Sequence, residues 1–240
     1  MKRRGFIVGL SSAGVTLATQ TPVFGRGDLS DLELDLCLDS TSSMFTMTNH
    51  WSIQRDGHLD ALDDAMVKHL LIQQRVYVRL LYWSDNDIRN IHMPFSDLVS
   101  DEVSYQRLRE TISTFRMPNT ELLTSHSTLL NHLRSLPMMG KRRVVDISTD
   151  EPVWPEDIMF CVNARNQLEK EGVQVNVIAV EGGYKINYEP VSLKNSRRVT
   201  DSMEENVQTR SPEGFTYTVR GWHTSTYTEA LISKLKRELM

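Results

Sequence analysis

Residues 34–43 read Leu34-Asp35-Leu36-Cys37-Leu38-Asp39-Ser40-Thr41-Ser42-Ser43, a mainly apolar run that ends in a carboxylate and a hydroxyl-rich turn. An apolar run bounded by polar turn residues predicts a buried strand. In an open α/β sheet, ligands bind beyond the carboxyl ends of the strands. We therefore expect Asp39, Thr41 and Ser43 to lie at such an end, where their D-x-T-x-S alternation allows one curved loop to point all three side chains inward.

Two interpretations of this turn are open. Three hard oxygen ligands with few charges suit a small divalent cation that keeps some of its water, Mg²⁺ before Ca²⁺. The same residue types are typical of an acidic turn in which Ser and Thr make local backbone hydrogen bonds and cap a helix. The rest of the chain has to decide between a metal site and a simple turn.

Composition limits the function classes. The chain has 240 residues, of which 40% are hydrophobic and 24% are charged, as in ordinary globular domains. This length suits one domain, or one domain with a targeting segment. A net charge of −4 argues against nucleic acid as the main partner. Beyond the N-terminus, no apolar run is long enough to span a membrane.

The N-terminus has the pattern of an export signal, a charged start followed by a weakly apolar run and small-residue sites. Arg3 and Arg4, followed by Phe6, resemble a twin-arginine signal, although Lys2 stands where such signals prefer Ser or Thr, so the general secretory route stays an alternative. We expect an export signal with the start of a linker at residues 1–25 and a single domain at 26–240. The protein would then be periplasmic or secreted, with no integral membrane segment after signal removal.

Strand-like and helical patterns alternate along the rest of the chain. We expect further strands at residues 75–83, 88–95, 144–148, 173–180 and 215–219. We expect helices at residues 52–71 (with Met66 on the apolar face), around 105–115, and at 122–136, 155–171, 201–207 and the C-terminus. The strands at 75–83 and 88–95 would form a hairpin. This order predicts an α/β fold, a doubly wound, mostly parallel central sheet with one antiparallel strand and helices on both faces, in a Rossmann-type three-layer sandwich.

Several kinds of catalytic site are not supported by the motifs. The turn after the first strand has no glycine to approach a phosphate, and no G-x-S-x-G elbow or H-E-x-x-H pair occurs. What remains is a polar cluster to which later loops add Thr120, before a helix, and Asp150, after the fourth core strand. In a doubly wound sheet the first and fourth core strands are neighbours, so Asp39 and Asp150 should lie close together.

These five positions resemble the metal-ion-dependent adhesion site of von Willebrand factor A-type domains, which has D-x-S-x-S after the first strand, a Thr on a later loop and an Asp after the fourth strand. The sequence also resembles a bacterial family of exported A-type domains of unknown function. The shared stretches are residues 53–57, 82–84, 142–148 with Asp150, 205–207, and 227–231 with Lys234-Leu235 and Arg237-Glu238.

The loops around the five positions depart from that pattern. Thr41 replaces the usual Ser, and Ser42 replaces a common Gly. Thr149 and Glu151 stand where the family often has Gly on both sides of the fourth-strand Asp. The sequence Asn119-Thr120-Glu121 replaces a more usual Gly or Ser followed by Thr. The ligand types are retained, while Glu151 either adds charge near the site or points to solvent.

The resemblance implies binding rather than turnover. It suggests an exported, non-enzymatic protein-binding domain whose ion, Mg²⁺ or else Mn²⁺ or Ca²⁺, captures an acidic side chain of a partner protein. A metal-free interaction scaffold with a degenerate site is the first alternative. A metal-dependent hydrolase is the second, with Asp39 and Asp150 holding the ion and Glu151 as general base, but no nucleophile with a matched base is visible.

Overall fold

The computed structural model describes residues 30–41, 43–44, 49–84, 87–116, 124–181, 198–221 and 223–240. The predicted export signal at residues 1–25 lies outside these ranges, as do Ser42 and the stretch Asn119-Thr120-Glu121. Thr120 is therefore a predicted site residue whose position stays a prediction.

Strands and helices alternate within these ranges. The strands are β1 (Ser30–Asp39), β2 (Val76–Trp83), β3 (Ile91–Val99), β4 (Gly140–Thr149), β5 (Gln174–Glu181) and β6 (Thr216–Arg220). The helices are α1 (His50–Asp63), α2 (Ala65–Gln73), α3 (Glu102–Thr114), α4 (His126–Ser135), α5 (Ile158–Lys170), α6 (Val199–Asn206) and α7 (Thr224–Leu239). A short 3₁₀ turn, Ile88–Asn90, precedes β3. Across the described part of the chain, no helix has the length and apolar character needed to cross a bilayer.

The strands form one mixed sheet in the order β3-β2-β1-β4-β5-β6. β1 pairs in parallel with both β2 and β4, and β3 is antiparallel to β2. Asp39 pairs with Trp83, and Leu38 pairs with Ser148, so the carboxyl ends of β1, β2 and β4 meet at one edge. The predicted α/β sheet with a single antiparallel hairpin is confirmed, and this edge is where its central loops come together.

Both faces of the sheet are covered, so β1 is buried along nearly its whole length. Leu36 faces a core layer shared with α1, α2, α3 and α7. The next residue, Cys37, faces the opposite layer, shared with α4, α5 and α6. Successive strand side chains point to opposite faces, so Glu33 and Asp35 lie on the same face as Cys37. Both carboxylates are buried, and ion pairs with Arg79 of β2 and Arg143 of β4 compensate their charges.

The helix predicted at residues 52–71 is two helices. Asp64 has extended backbone angles (φ −57°, ψ 125°), and its carboxylate accepts hydrogen bonds from the backbone N–H groups of Met66 and Val67. It therefore ends α1 and caps α2, as a short acidic side chain does at a helix N-terminus. Met66, expected on the apolar face, is 51% exposed.

Candidate metal site

The carboxylate of Asp39 lies buried at the end of β1, and both of its oxygens accept hydrogen bonds. Thr41 donates to Oδ1 from its backbone N (2.9 Å) and its hydroxyl (2.8 Å). Thr149, at the end of β4, donates from its hydroxyl to Oδ2 over 2.8 Å. The amide of Gln54 in α1 donates to the backbone carbonyl of Asp39 over 2.8 Å. Asp39 is thus oriented by its own loop, by β4 and by α1.

A chain of side-chain contacts continues from Asp39 to the β4 loop. The hydroxyl oxygens of Thr41 and Ser43 are 2.9 Å apart, and the Ser43 hydroxyl donates to Asp150 Oδ1 over 3.3 Å. All four side chains are buried. The structure therefore brings together Asp39, Thr41, Ser43 and Asp150, and their role as metal ligands stays a prediction.

Buried negative charge is concentrated at this edge of the sheet. Burial raises the pKa of Asp39 well above its usual range; the nearby carboxylates of Asp150 and Glu151 raise it further, against the hydrogen bonds from Thr41 and Thr149. Burial also raises the pKa of Glu151, to about 7. Within the described ranges, no Lys or Arg side chain forms an ion pair with Asp39 or Glu151. Since buried charges need compensation, a divalent cation fits this donor set.

Two further residues, His50 and Glu151, lie at the site in a way that the sequence pattern does not indicate. His50, the first residue of α1, places Nδ1 3.3 Å from Asp150 Oδ2. It precedes the predicted helix start at residue 52, so the pattern gave no reason to single it out. Glu151 is 1% exposed, which excludes the solvent-facing alternative. Its neighbours Ser43, Thr124 and Trp154 come from three segments, and such packing leaves no local sequence signal.

The donor set combines the carboxylates of Asp39 and Asp150 with the hydroxyls of Thr41 and Ser43. Across the described ranges, no group of three or more His, Cys, Asp or Glu is arranged to hold a metal ion. An ion at this edge would therefore depend on Thr41 and Ser43 as well as on carboxylates. That choice of ligand type suits a hard cation such as Mg²⁺ or Ca²⁺ better than a soft one.

The sheet beneath the site is tied to α1 and α7 by close packing. Tyr227 of α7 donates its phenolic O–H to the Ser148 hydroxyl over 2.9 Å. A Cβ atom on Gly57 of α1 would lie 2.4 Å from Tyr227 Cδ1, so α1 can approach α7 this closely only with glycine there. Gly57 and Tyr227 belong to stretches that carry the family resemblance, and here those stretches meet.

A buried ionic cluster lies deeper on the same face. Lys234 of α7 forms ion pairs with Asp146 of β4 and with Glu238, the latter over 2.8 Å. The Asn176 amide also donates to Glu238 over 2.7 Å. All four side chains are buried. This cluster joins α7 to β4 four residues before Asp150.

A comparison with protein-family models gives one match. The model of the family described as "Protein of unknown function (DUF1194)" matches residues 29–240. No curated protein sequence matches the chain.

Similar solved structures include a matrix protein of the mussel byssus and a bacterial pilus adhesin. Proximal thread matrix protein 1 from the mussel byssus, described with a zinc-occupied MIDAS motif, has a TM-score of 0.60 at 15% identity over 88% of this chain and 46% of its own. The pilus adhesin SpaC from Lactobacillus rhamnosus GG has a TM-score of 0.62 at 11% identity over 88% and 30%.

The conserved hypothetical protein BatB from Bacteroides thetaiotaomicron has a TM-score of 0.54 at 16% identity, over 86% of this chain and 99% of its own. The chain spans less than half of the mussel and Lactobacillus proteins. At these identities, the likeness concerns the fold alone.

Proposed function

This chain belongs to the family described as "Protein of unknown function (DUF1194)" and has a von Willebrand factor A-type fold, and from that premise we propose that it is a non-enzymatic protein-interaction domain. Its site holds a divalent cation, Mg²⁺ first and Mn²⁺ or Ca²⁺ as alternatives. The ligands are Asp39, Thr41, Ser43, Thr120 and Asp150. The bound ion captures an acidic side chain of a partner protein.

The contact chain from Asp39 through Thr41 and Ser43 to Asp150 is the observation that supports this proposal. It gathers two carboxylates and two hydroxyls, and the sequence adds the Thr120 hydroxyl. Neutral hydroxyl ligands leave more of the ion's positive charge uncompensated than carboxylates would. Such an ion attracts one more anionic ligand, and the carboxylate of a partner supplies it.

The similar structures support a binding role rather than catalysis. The mussel protein is described with a zinc-occupied MIDAS motif, so a protein of this fold holds a divalent ion at a motif of this kind. SpaC is described as a pilus adhesin. Neither description names an enzyme, and the description of SpaC as an adhesin supports the binding role proposed for this chain.

Calorimetry tests the metal site. Mg²⁺ or Mn²⁺ titrated into the full chain should release or absorb heat for the wild type, and Asp39→Ala should abolish the signal because it removes the central ligand. Asp60→Ala, which removes an exposed carboxylate of α1, is the matched control. Equal heats for the wild type and Asp39→Ala would overturn the assignment, as would no heat for either.

Peptide capture tests the acidic ligand. A peptide with one exposed glutamate should bind the Mg²⁺-loaded protein, and its glutamine counterpart should not. EDTA should abolish the binding. Binding that survives EDTA would instead support the metal-free scaffold, and equal binding of both peptides would contradict an acidic ligand.

We also propose export to the periplasm or the exterior, on the pattern of residues 1–25 alone. Cell fractionation of the full chain should find it outside the cytoplasm. Replacing both Arg3 and Arg4 by Lys should retain it in the cytoplasm if the twin-arginine route is used. A wild-type chain found in the cytoplasm would contradict export by either route.

A further inference from the structure

Glu151 is a third carboxylate at the site, beyond the two in the proposed ligand set. Its side chain is 1% exposed. Its carboxylate faces the side chains of Thr124, Ser43 and Trp154 and interacts electrostatically with Asp150. Since Ser43 is itself a proposed ligand, the Glu151 carboxylate lies next to the proposed ion site.

Three buried polar atoms in and around the Glu151 carboxylate have no hydrogen-bond partner among the described residues. These atoms are Glu151 Oε2, Thr124 Oγ1 and Trp154 Nε1. A buried carboxylate oxygen without a donor costs free energy unless a cation or a water compensates it. A carboxylate with a spare buried oxygen beside the proposed cation site can therefore serve as a further ligand. In the described residues the three carboxylates are not already grouped around one point, so the Glu151 side chain has to turn onto the ion when the ion binds.

We propose that Glu151 is an internal acidic ligand of the ion and competes there with the acidic side chain of the partner. This inference rests on the proposed function. With Asp39 and Asp150 alone, a divalent ion is formally neutralised by its protein ligands, and a third carboxylate makes the site anionic. An anionic site repels a partner's carboxylate, so the partner has to displace Glu151 before it binds.

Glu151→Gln should weaken metal binding and strengthen binding of the glutamate peptide. Loss of a direct ligand should weaken Mg²⁺ or Mn²⁺ binding at least as much as loss of an outer contact does, by about 10- to 100-fold. At saturating metal, the apparent Kd for the glutamate peptide should fall about tenfold, as expected if Glu151 occupies the ion in about nine of ten molecules. A purely structural role predicts that both affinities stay the same or both decrease.

Glu156→Gln is the matched control, because Glu156 is exposed and lies five residues further along the chain. If Glu151→Gln fails to fold, Glu151→Asp replaces it. The shorter acid keeps the charge but withdraws the carboxylate by one methylene. As with Glu151→Gln, metal binding should weaken and peptide binding should strengthen.

The possible failures can be told apart. If the wild type binds metal and Glu151→Gln binds metal equally well, the role of Glu151 is wrong and the metal site stands. If metal binding weakens but peptide affinity does not rise, Glu151 is a ligand without competition, and the inference is wrong. If the wild type binds no metal, the proposed function fails and the inference fails with it.

Discussion

Thr149 Oγ1 donates a 2.8 Å hydrogen bond to Asp39 Oδ2, which joins the carboxyl ends of β4 and β1 across 110 residues of sequence. The same Thr149 oxygen accepts a 3.2 Å hydrogen bond from the backbone N–H of Glu151. The Thr149 hydroxyl therefore orients the Asp39 carboxylate at the end of β1 and also holds the backbone N–H of Glu151 after β4. A side chain rather than the backbone alone thus holds the two loops together at the site.

Replacing Thr149 with Val should destabilise the fold and weaken metal binding. The variant keeps the side-chain shape but leaves Asp39 Oδ2 and the Glu151 N–H with one partner fewer, at a cost of about 1–3 kcal/mol in the free energy of unfolding. Urea denaturation and Mg²⁺ calorimetry measure the two effects. Thr114→Val, at an exposed position of α3, should stay within about 0.5 kcal/mol of the wild type. Equal stabilities for the two variants would contradict the role of Thr149.

Replacing Gly57 with Ala should destabilise the contact between α1 and α7. The new methyl group would meet the Tyr227 ring at 2.4 Å, and such overpacking costs about 1–3 kcal/mol. Thermal or urea unfolding measures the loss. Tyr227→Leu should lessen the penalty of Gly57→Ala when the two are combined, because it removes the ring. Fully additive effects in this double-mutant cycle would show that the ring does not cause the strain.

Replacing Lys234 with Met should be among the most damaging changes on α7. Above about pH 7, where Glu238 is ionised, it leaves the buried carboxylates of Asp146 and Glu238 without their cation, at a cost of about 3–5 kcal/mol. Lys236→Met is the matched control, since Lys236 pairs with Asp64 at a partly exposed position and should cost no more than about 1 kcal/mol. Urea denaturation compares the two variants. Similar losses would contradict a special role for the buried cluster.

Glu238 should make stability depend on pH. Burial raises the pKa of Glu238 to about 7, against the opposing Lys234 ammonium. The native state therefore holds a proton on Glu238 that the unfolded chain, with a pKa near 4.5, has released. The resulting stabilisation is complete below about pH 4.5 and is lost as the pH rises through about 7.

Glu238→Gln removes this titration and serves to measure it. Between about pH 4.5 and 7, the unfolding free energy of the wild type should fall relative to the variant by up to about 1.4 kcal/mol per pH unit. Glu151 titrates with the same sign in both proteins, so it cancels from the difference. Parallel stability curves over this range would show that Glu238 is not protonated in the native state.

The fold was largely predictable from the sequence, for a physical reason. Strands covered on both faces are rich in apolar and β-branched residues, and the valines and isoleucine of residues 173–180 indicate a strand so clearly that the prediction differs from β5 by one residue at each end. The division of the predicted helix at Asp64 was not predictable in the same way. Apolar spacing continues through Leu62 and Met66, and only the capping geometry of Asp64 shows that the helix stops and restarts.

The candidate site was predictable in part. The order of Asp39, Thr41, Ser43 and Asp150 along alternating elements predicts that parallel strand ends bring them together, and the structure does so. The approach of His50 to Asp150 and the burial of Glu151 depend on how separate segments pack over that edge. Periodicity and motif spacing contain no information on such packing.

The parallel pairing of β1 with both β2 and β4 has a consequence for the order of folding events. Parallel neighbours require long crossover connections, so the loops that carry Asp39 and Asp150 meet only once β1 has paired with β4, and that pairing carries the entropy cost of closing a long loop. A cation binding there cannot act as a folding nucleus in the way zinc does for a small finger domain. It would instead recognise the finished sheet and slow its unfolding, so metal affinity measures the integrity of the whole domain.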